Sequence, residues 1–134
     1  MSASAKKIVR ASDAMRSGVM TIDGLATVKE AVITMRDNQV SALLVERRNA
    51  DDAWGIVTIR DLIQGVIIPG RPAVDVNVFE VMTKPIIMVP ADMDIRYVAR
   101  LLHRNGLSQV PVERFGELVG MISLESLILH EDIF

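Results

Sequence analysis

An internal repeat is the feature that most restricts the fold of this chain. Four residues recur 67 positions later, so that Asn38, Ser41, Glu46 and Arg47 are repeated as Asn105, Ser108, Glu113 and Arg114. After the turn that follows, the separation falls to 65, and Gly55 and Thr58 are repeated as Gly120 and Ser123. Because insertions concentrate in turns, a change of separation at a turn supports a true duplication. The sequence therefore predicts two copies of one folding unit.

Each copy has the periodicity of strand, helix, strand, turn, strand and helix. In the first copy the apolar residues of the long helix fall at helical spacing, at Val28, Ala31, Val32 and Met35. Thr27 and Glu30 form a capping box at its start, and the helix is predicted to end at Asn38. The predicted elements are a helical turn at 11–16, a strand at 19–22, a helix at 27–38, strands at 41–46 and 54–58, and a helix at 59–67. In the second copy Ile95, Val98, Ala99 and Leu102 repeat the helical stripe.

This pattern predicts an α+β fold with α/β-like character. A strand–helix–strand passage favours parallel pairing with a right-handed crossover, and the short turn that follows favours an antiparallel hairpin. We expect two β-α-β-β-α repeats with pseudo-twofold symmetry, packed through their sheets. The Pro69-Gly70-Arg71-Pro72 break separates them. The predicted organisation is an N-terminal arm at 1–10, repeats at 11–68 and 78–134, and a linker at 69–77.

Composition excludes several classes of function. The net charge of −2 argues against a general nucleic-acid or anionic-membrane surface. There is no cysteine, and His103 and His130 have no metal-ligand spacing, so we expect no metal site and no required cofactor. No apolar run reaches membrane-spanning length and no secretory signal is evident, which predicts a cytoplasmic protein. Without a recognisable catalytic motif, we expect no enzyme activity and no catalytic residues.

The stretch from Gly55 to Asp61 carries the strongest functional signal. It runs from an apolar strand into a helix, with Thr58 at the N-cap and Arg60 and Asp61 in the first turn. A helix N-terminus favours phosphate, and a carboxylate one turn later suits the vicinal hydroxyls of a ribose. The same residues also form an ordinary capping box, which by itself is the more frequent meaning of this pattern.

In order, spacing and duplication the chain resembles a tandem pair of CBS domains, a Bateman module, from about Ala11 to Phe134. The matching segments are Met82-Thr83-Lys84-Pro85, Ser108-Gln109-Val110-Pro111-Val112, Gly55-x-x-Thr58-x-x-Asp61 and Gly120-x-x-Ser123. The resemblance implies a stand-alone regulatory module that senses an adenine nucleotide such as AMP, ADP or ATP, or S-adenosylmethionine, in a cleft between the repeats.

The resemblance also implies the site residues. In the main site Asp61 would hold the ribose, while Thr58 with Arg60 or Lys84 would hold phosphate. The full predicted set is Thr58, Arg60, Asp61, Thr83, Lys84, Ile86, Gln109, Val110 and Pro111. The second site would consist of Ser17, Val19, Ser41, Ala42, Leu43, Ser123 and Ser126. It departs from the family pattern, because Ser126 replaces the carboxylate and Glu125 stands where Arg60 does, so we expect weaker, different or absent binding there.

Two classes of function remain open at this stage. One is a nucleotide sensor that signals to an unknown partner protein in trans. The other is a structural or protein-interaction module whose clefts stay empty, and an enzyme of unknown type is a distant third. In either of the first two cases the apolar helices at 59–68 and 124–129 predict a homodimer, because they carry more apolar surface than one core needs.

Overall fold

The structure is a computed structural model that describes residues 8–133. The chain divides into two compact units. The continuous unit is Met20–Ile86, and the split unit combines residues 8–19 with residues 87–133. The units do not coincide with the sequence repeats. Each unit contains the strands and the long helix of one repeat together with the short initial segment of the other repeat.

The elements alternate in the predicted order. Along the chain they are α1 (Ala11–Ala14), β1 (Arg16–Ser17), β2 (Thr21–Ile22), α2 (Val28–Asn38), β3 (Ala42–Val45), β4 (Gly55–Thr58), α3 (Ile59–Leu62), a π-helical turn (Ile63–Ile67), a 3-10 turn (Ala73–Asp75), α4 (Val78–Val81), β5 (Val89–Pro90), α5 (Ile95–Asn105), β6 (Gln109–Arg114), β7 (Glu117–Ser123) and α6 (Leu124–Leu129).

In the continuous unit, a three-stranded sheet has the order β2-β3-β4. β2 pairs parallel to β3, and β3 pairs antiparallel to β4, as the crossover and hairpin predict. Val28, Ala31 and Met35 of α2 are buried, so the predicted stripe is confirmed as the core face of the helix. The predicted capping box is also present, since Thr27 Oγ1 accepts from Glu30 N over 3.2 Å and Glu30 Oε2 accepts from Thr27 N over 3.0 Å.

In the split unit, a four-stranded sheet has the order β1-β7-β6-β5. The parallel β5–β6 pair and the antiparallel β6–β7 hairpin repeat the pattern of the continuous unit. β1 adds an antiparallel strand, with Arg16 opposite Met121 and Ser17 opposite Gly120. Val98 and Leu102 of α5 are fully buried against this sheet. The mixed α/β fold predicted from the sequence is therefore confirmed.

The short helices α1 and α4 occupy equivalent positions in the two units. Ser12 N donates to Ala91 O over 2.9 Å, and Phe79 N donates to Gly24 O over 3.0 Å. Both donors and both acceptors are related by the 67-residue separation of the repeats. The duplication therefore extends to individual backbone hydrogen bonds.

Several predicted boundaries are wrong. The helical turn expected at 11–16 ends at Ala14, and Arg16–Ser17 form a strand because β7, from the far end of the chain, pairs with them. The strand expected at 19–22 is confined to Thr21–Ile22. α4 lies where no helix was predicted, and Val76, within the predicted linker, is buried in the core.

The last helix of the continuous unit also departs from a regular α-helix. Its predicted span is occupied, but the α-helical hydrogen bonding changes to a π-helical turn at Ile63–Ile67. Gly65 lies in this turn against Val81, and a Cβ there would be 2.6 Å from Val81 Cγ1. The glycine therefore permits the close approach of α4.

The predicted N-terminal arm falls mostly outside the described residues, which begin at residue 8. Within it, Val9 is buried and its carbonyl oxygen accepts from Ile95 N over 3.0 Å. This end of the predicted arm is therefore part of the split unit.

Candidate ligand-binding site

The junction between β4 and α3 holds Thr58 and Asp61 in a reciprocal cap. Thr58 has extended backbone angles at the N-cap, and its Oγ1 accepts from Asp61 N over 3.2 Å. Asp61 Oδ2 in turn accepts from Thr58 N over 2.8 Å and from the Thr58 hydroxyl over 3.0 Å. The capping function predicted for this pair is confirmed, and it fixes the carboxylate one turn into the helix.

Thr83 completes the surroundings of this carboxylate. Its hydroxyl donates to Asp61 Oδ1 over 3.2 Å. Two backbone hydrogen bonds hold Thr83 beside β4, from Ile56 N to Thr83 O over 2.9 Å and from Thr83 N to Ile56 O over 2.8 Å. Three protein donors therefore form hydrogen bonds with the half-buried carboxylate. A carboxylate can accept about four hydrogen bonds, so part of its capacity remains open.

Gly55 allows the Thr83 segment to lie against β4. A Cβ at Gly55 would be 2.9 Å from Met82 Sδ and 3.3 Å from Val45 Cβ. Gly120 has the same relationship to the segment of β1, since its Cβ would be 2.5 Å from Met15 Sδ and 2.7 Å from Arg16 O. Neither glycine has a positive φ. Close packing, rather than hairpin conformation, therefore requires glycine at both positions.

Lys84 lies beside Thr83 but bonds to a different carboxylate. Its Nζ is 2.7 Å from Asp52 Oδ1. The hydrogen bond from Lys84, followed by one from Arg48 N, holds the pKa of Asp52 far below its usual range. Asp52 lies between the predicted strands at 41–46 and 54–58, and nothing in its local sequence pattern indicates this partner. A phosphate at Lys84 would compete with this ion pair.

The other predicted residues of the main site are divided between the units. In the continuous unit, Arg60 is exposed in the first turn of α3 and Ile86 is half-buried. In the split unit, Gln109, Val110 and Pro111 form the start of β6. The Val110 side chain is fully buried in the core, so any ligand contact from this residue would come from its backbone.

The predicted second site has a different local chemistry. Ser126 Oγ accepts from Ser123 N over 2.9 Å and donates to Ser123 O over 2.9 Å. Ser126 therefore keeps the capping function of Asp61 without its charge. Ser17 lies in β1 and Val19 follows that strand, both in the split unit, whereas Ser41, Ala42 and Leu43 lie in the continuous unit. Leu43 is fully buried in that unit's core.

Neither a cluster of metal ligands nor a membrane-spanning helix is found among the described residues. Between residues 8 and 133, no group of three or more histidines and carboxylates is placed to hold a metal ion. Over the same residues, every helix is too short or too polar to cross a membrane.

Comparison with known proteins decides the family. A family model described as CBS domain matches residues 11–67 and 78–131. The chain belongs to the CBS-domain family. CBS pairs are generally regulatory modules that bind adenosine ligands.

Among solved structures, the hexameric CBS-CP12 protein from bloom-forming cyanobacteria is 34% identical, with a TM-score of 0.89 over 93% of this chain and 72% of that chain. The mitochondrial CBS domain-containing protein CBSX3 of Arabidopsis thaliana is 29% identical over 90% of this chain and 65% of its own length. Uncharacterized protein MK0525 of Methanopyrus kandleri is 26% identical over 92% of this chain and 63% of its own. This CBS chain thus spans about two thirds of the length of these two curated relatives.

Proposed function

We propose that this CBS pair senses an adenine nucleotide and that Asp61 is its ribose-binding carboxylate. The supporting observation is the position of Asp61, which the reciprocal cap with Thr58 fixes before any ligand arrives. Its carboxylate keeps about one of four acceptor positions open for a ribose hydroxyl, and the second hydroxyl would take the position that the Thr83 donor now occupies. A preorganised acceptor loses less conformational entropy on binding than a mobile one.

The charge of the phosphate would be met by neighbouring cations. Arg60 lies one residue before Asp61, and Lys84 follows Thr83. Charge-assisted hydrogen bonds to phosphate are among the stronger polar contacts in proteins. In this proposal Ile86, Gln109, Val110 and Pro111 contribute to the binding of the base.

Ligand binding would be coupled to the Thr83 segment. Thr83 donates to the carboxylate oxygen that still has spare capacity, so a ribose hydroxyl and the Thr83 hydroxyl would share or compete for Asp61 Oδ1. Replacing the Thr83 hydroxyl by a ribose hydroxyl would change the contacts of the Thr83 segment. A ligand drives a conformational change only through such a difference in its interaction with the two states. The proposed readout is a partner protein that acts in trans in the cytoplasm.

The proposed assembly is a homodimer formed through the final helices. Ile59, Ile63 and Ile67 are spaced four residues apart and are 48%, 42% and 69% exposed. Leu124 and Ile128 of α6, at equivalent repeat positions, are 47% and 58% exposed. Apolar stripes of this kind mark protein interfaces. The oligomers described for the CBS-CP12 relative are consistent with self-association of this family.

The second site is proposed to bind more weakly or with another selectivity. Ser126 provides one hydroxyl where Asp61 provides a charged carboxylate, and that hydroxyl already makes two hydrogen bonds to Ser123. Loss of a charge-assisted hydrogen bond corresponds to roughly a tenfold to hundredfold reduction in affinity.

Thermal unfolding tests the proposal directly. The full chain is heated with AMP, ADP, ATP, NAD or S-adenosylmethionine, and the ligand-induced rise in Tm is compared between the wild type, Asp61→Ala and the matched variant Ser126→Ala. A ligand at one hundred times its Kd adds about 2.7 kcal/mol to stability, a rise of several degrees. We expect a rise with one ligand in the wild type and in Ser126→Ala, but not in Asp61→Ala.

Two outcomes would contradict this assignment. A rise that persists in Asp61→Ala would place the ligand elsewhere. No rise with any of the five compounds would favour the alternative function, a ligand-free structural or protein-interaction module. Asp61→Ala also loses the stability that its cap contributes. Comparing ligand-induced rises in Tm, rather than absolute Tm values, keeps this loss out of the comparison.

A further inference from the structure

A cavity of about 390 Å³ opens in the split unit. It lies where the parallel strands β5 and β6 end, between Pro90 and Ala91 on one side and Glu113 and Arg114 on the other. The carboxyl ends of parallel strands are frequent sites of ligand binding. Gln109, which belongs to the proposed nucleotide site, begins β6 at the opposite end from Arg114. The cavity is therefore distinct from the nucleotide-binding residues.

One wall of this cavity is formed by a residue that differs between the two repeats. Ser12 lines it from α1, whereas the equivalent residue of α4 is Phe79. The two residues make equivalent backbone hydrogen bonds, to Ala91 O and Gly24 O respectively. Phe79 Cβ also lies 3.5 Å from the place of a Cβ on Gly24. The same backbone therefore accommodates a large aromatic ring in one unit and a small hydroxyl beside a cavity in the other.

Four charged side chains line the cavity, two of each sign, and one cation and one anion among them have no partner within the described residues. Within residues 8–133, the Arg114 guanidinium and the Asp92 carboxylate make no hydrogen bond or ion pair. The two other charged side chains that line the cavity, Arg10 and Glu113, keep their charge, and each makes a hydrogen bond with a backbone group. Arg10 Nη1 donates to Asp92 O over 2.7 Å, and Glu113 Oε2 accepts from Gly116 N over 3.1 Å.

An exposed aromatic residue completes the cavity. Phe115 is 97% exposed at the tip of the β6–β7 hairpin, with a φ of +51°, and Gly116 follows with a φ of +82°. Asparagine, aspartate and glycine are the residues that such two-residue turns favour. A bulky aromatic residue in this conformation is strained and gains no packing within the described part of the chain. A ligand would provide the missing apolar contact.

We propose that this cavity binds an α-amino acid with an apolar side chain. Arg114 would pair with its carboxylate and Asp92 with its ammonium group. Pro90, Ala91 and Phe115 would contact the apolar side chain. A zwitterion can pair with one unpartnered group of each sign, whereas a simple anion or cation can pair with only one of the two. The volume falls in the range of small-molecule sites.

A titration followed by NMR tests this site with L-phenylalanine as the probe. Amide signals of the ¹⁵N-labelled full chain are recorded up to about 10 mM probe, which nearly saturates a site with a Kd near 1 mM. We expect saturable shifts at Ser12, Ala91 and Gly116. N-acetyl-L-phenylalanine lacks the ammonium group and L-phenylalaninamide lacks the carboxylate, so both should bind more weakly.

Paired variants assign each charge. Arg114→Gln should weaken the binding of L-phenylalanine and of its N-acetyl derivative by about two- to fivefold, because exposed ion pairs contribute modestly. It should leave the binding of L-phenylalaninamide unchanged. Asp92→Asn should weaken the binding of L-phenylalanine and of L-phenylalaninamide but leave the binding of the N-acetyl derivative unchanged. Arg47→Gln, at the position equivalent to Arg114, is the matched control and should change none of these affinities.

Ser12→Phe tests the cavity itself. This substitution places in the split unit the residue that the continuous unit already carries at the equivalent position. We expect at least a tenfold loss of L-phenylalanine binding with a well-dispersed spectrum.

Absence of saturable shifts in the wild type, or unchanged binding in Ser12→Phe, would overturn the proposal. If Ser12→Phe does not fold, identical affinities in the wild type, Arg114→Gln and Asp92→Asn would overturn it. A parallel titration with AMP reports on the proposed nucleotide site, so either proposal can fail alone.

Discussion

The Thr83 hydroxyl donates to Asp61 Oδ1 over 3.2 Å across 22 residues of sequence. This bond joins the segment that precedes the strands of the second repeat to the helix that ends the first repeat, within one compact unit. In the split unit, Arg16 and Ser126 occupy the equivalent positions. The two repeats therefore share a backbone plan but differ in the chemistry at this junction.

Replacing Thr83 with valine should lower the free energy of unfolding by about 0.5–1.5 kcal/mol. The change keeps the shape of the side chain and removes one hydrogen bond to a half-buried carboxylate. Urea unfolding at neutral pH measures the difference. Ser108→Val, at an exposed residue for which only a backbone hydrogen bond is seen, is the control and should change stability less. Equal losses in the two variants would show that the Thr83–Asp61 bond adds no stability.

The Asp52–Lys84 pair should make stability depend on acid pH. Because the hydrogen bond from Lys84 lowers the folded-state pKa of Asp52, its contribution is fully present above the unfolded-state pKa, near 3.9. It is lost progressively as the pH falls below that value toward the folded-state pKa. Urea unfolding of wild type and Asp52→Asn between pH 7 and pH 2 should therefore show a difference that shrinks below about pH 4. A difference that stays constant over this range would contradict the assignment.

Gly120→Ala should destabilise the protein by about 1–3 kcal/mol. The added methyl group would lie 2.7 Å from Arg16 O, a backbone atom, so the β1–β7 pairing would have to shift. Gly24→Ala is the matched control, because its nearest neighbours would be 3.5 Å away, an ordinary contact. Denaturant midpoints compare the two variants. Similar midpoints for both would show that close packing does not explain the glycine at position 120.

The proposed homodimer should dissociate when a charge is placed in its apolar stripe. Ile63→Glu puts a carboxylate at the centre of the Ile59–Ile63–Ile67 stripe, where burial of an unpaired charge is unfavourable. Light scattering at micromolar concentration should give a dimer for the wild type and a monomer for this variant. Leu25→Glu, at a residue that is 74% exposed outside the stripe, should remain dimeric. A monomeric wild type would refute the dimer.

The long elements and their caps followed from sequence because their signals are local, and the repeat followed from a direct comparison of the two halves of the chain. The stripe Val28–Ala31–Met35 and the capping boxes at Thr27 and Thr58 depend on neighbours within one or two turns of helix, whereas the 67-residue recurrence is visible in the residue identities themselves. Propensity and periodicity describe these interactions directly. The position of Asp61 in the first turn of a helix was available for the same reason.

Only the tertiary structure decided which distant segments meet. The strand at Arg16–Ser17 exists because β7 pairs with it, and the roles of Gly55 and Gly120 depend on chain segments that approach them from elsewhere in the sequence. The Asp52–Lys84 ion pair likewise joins residues 32 positions apart, and the cavity brings Ser12 together with Pro90, 78 positions later in the chain. No local pattern encodes such contacts, because their stabilisation arises only after the chain has closed the loops between them. The sequence thus determined the repeated elements and their caps, and long-range packing determined what surrounds each functional side chain.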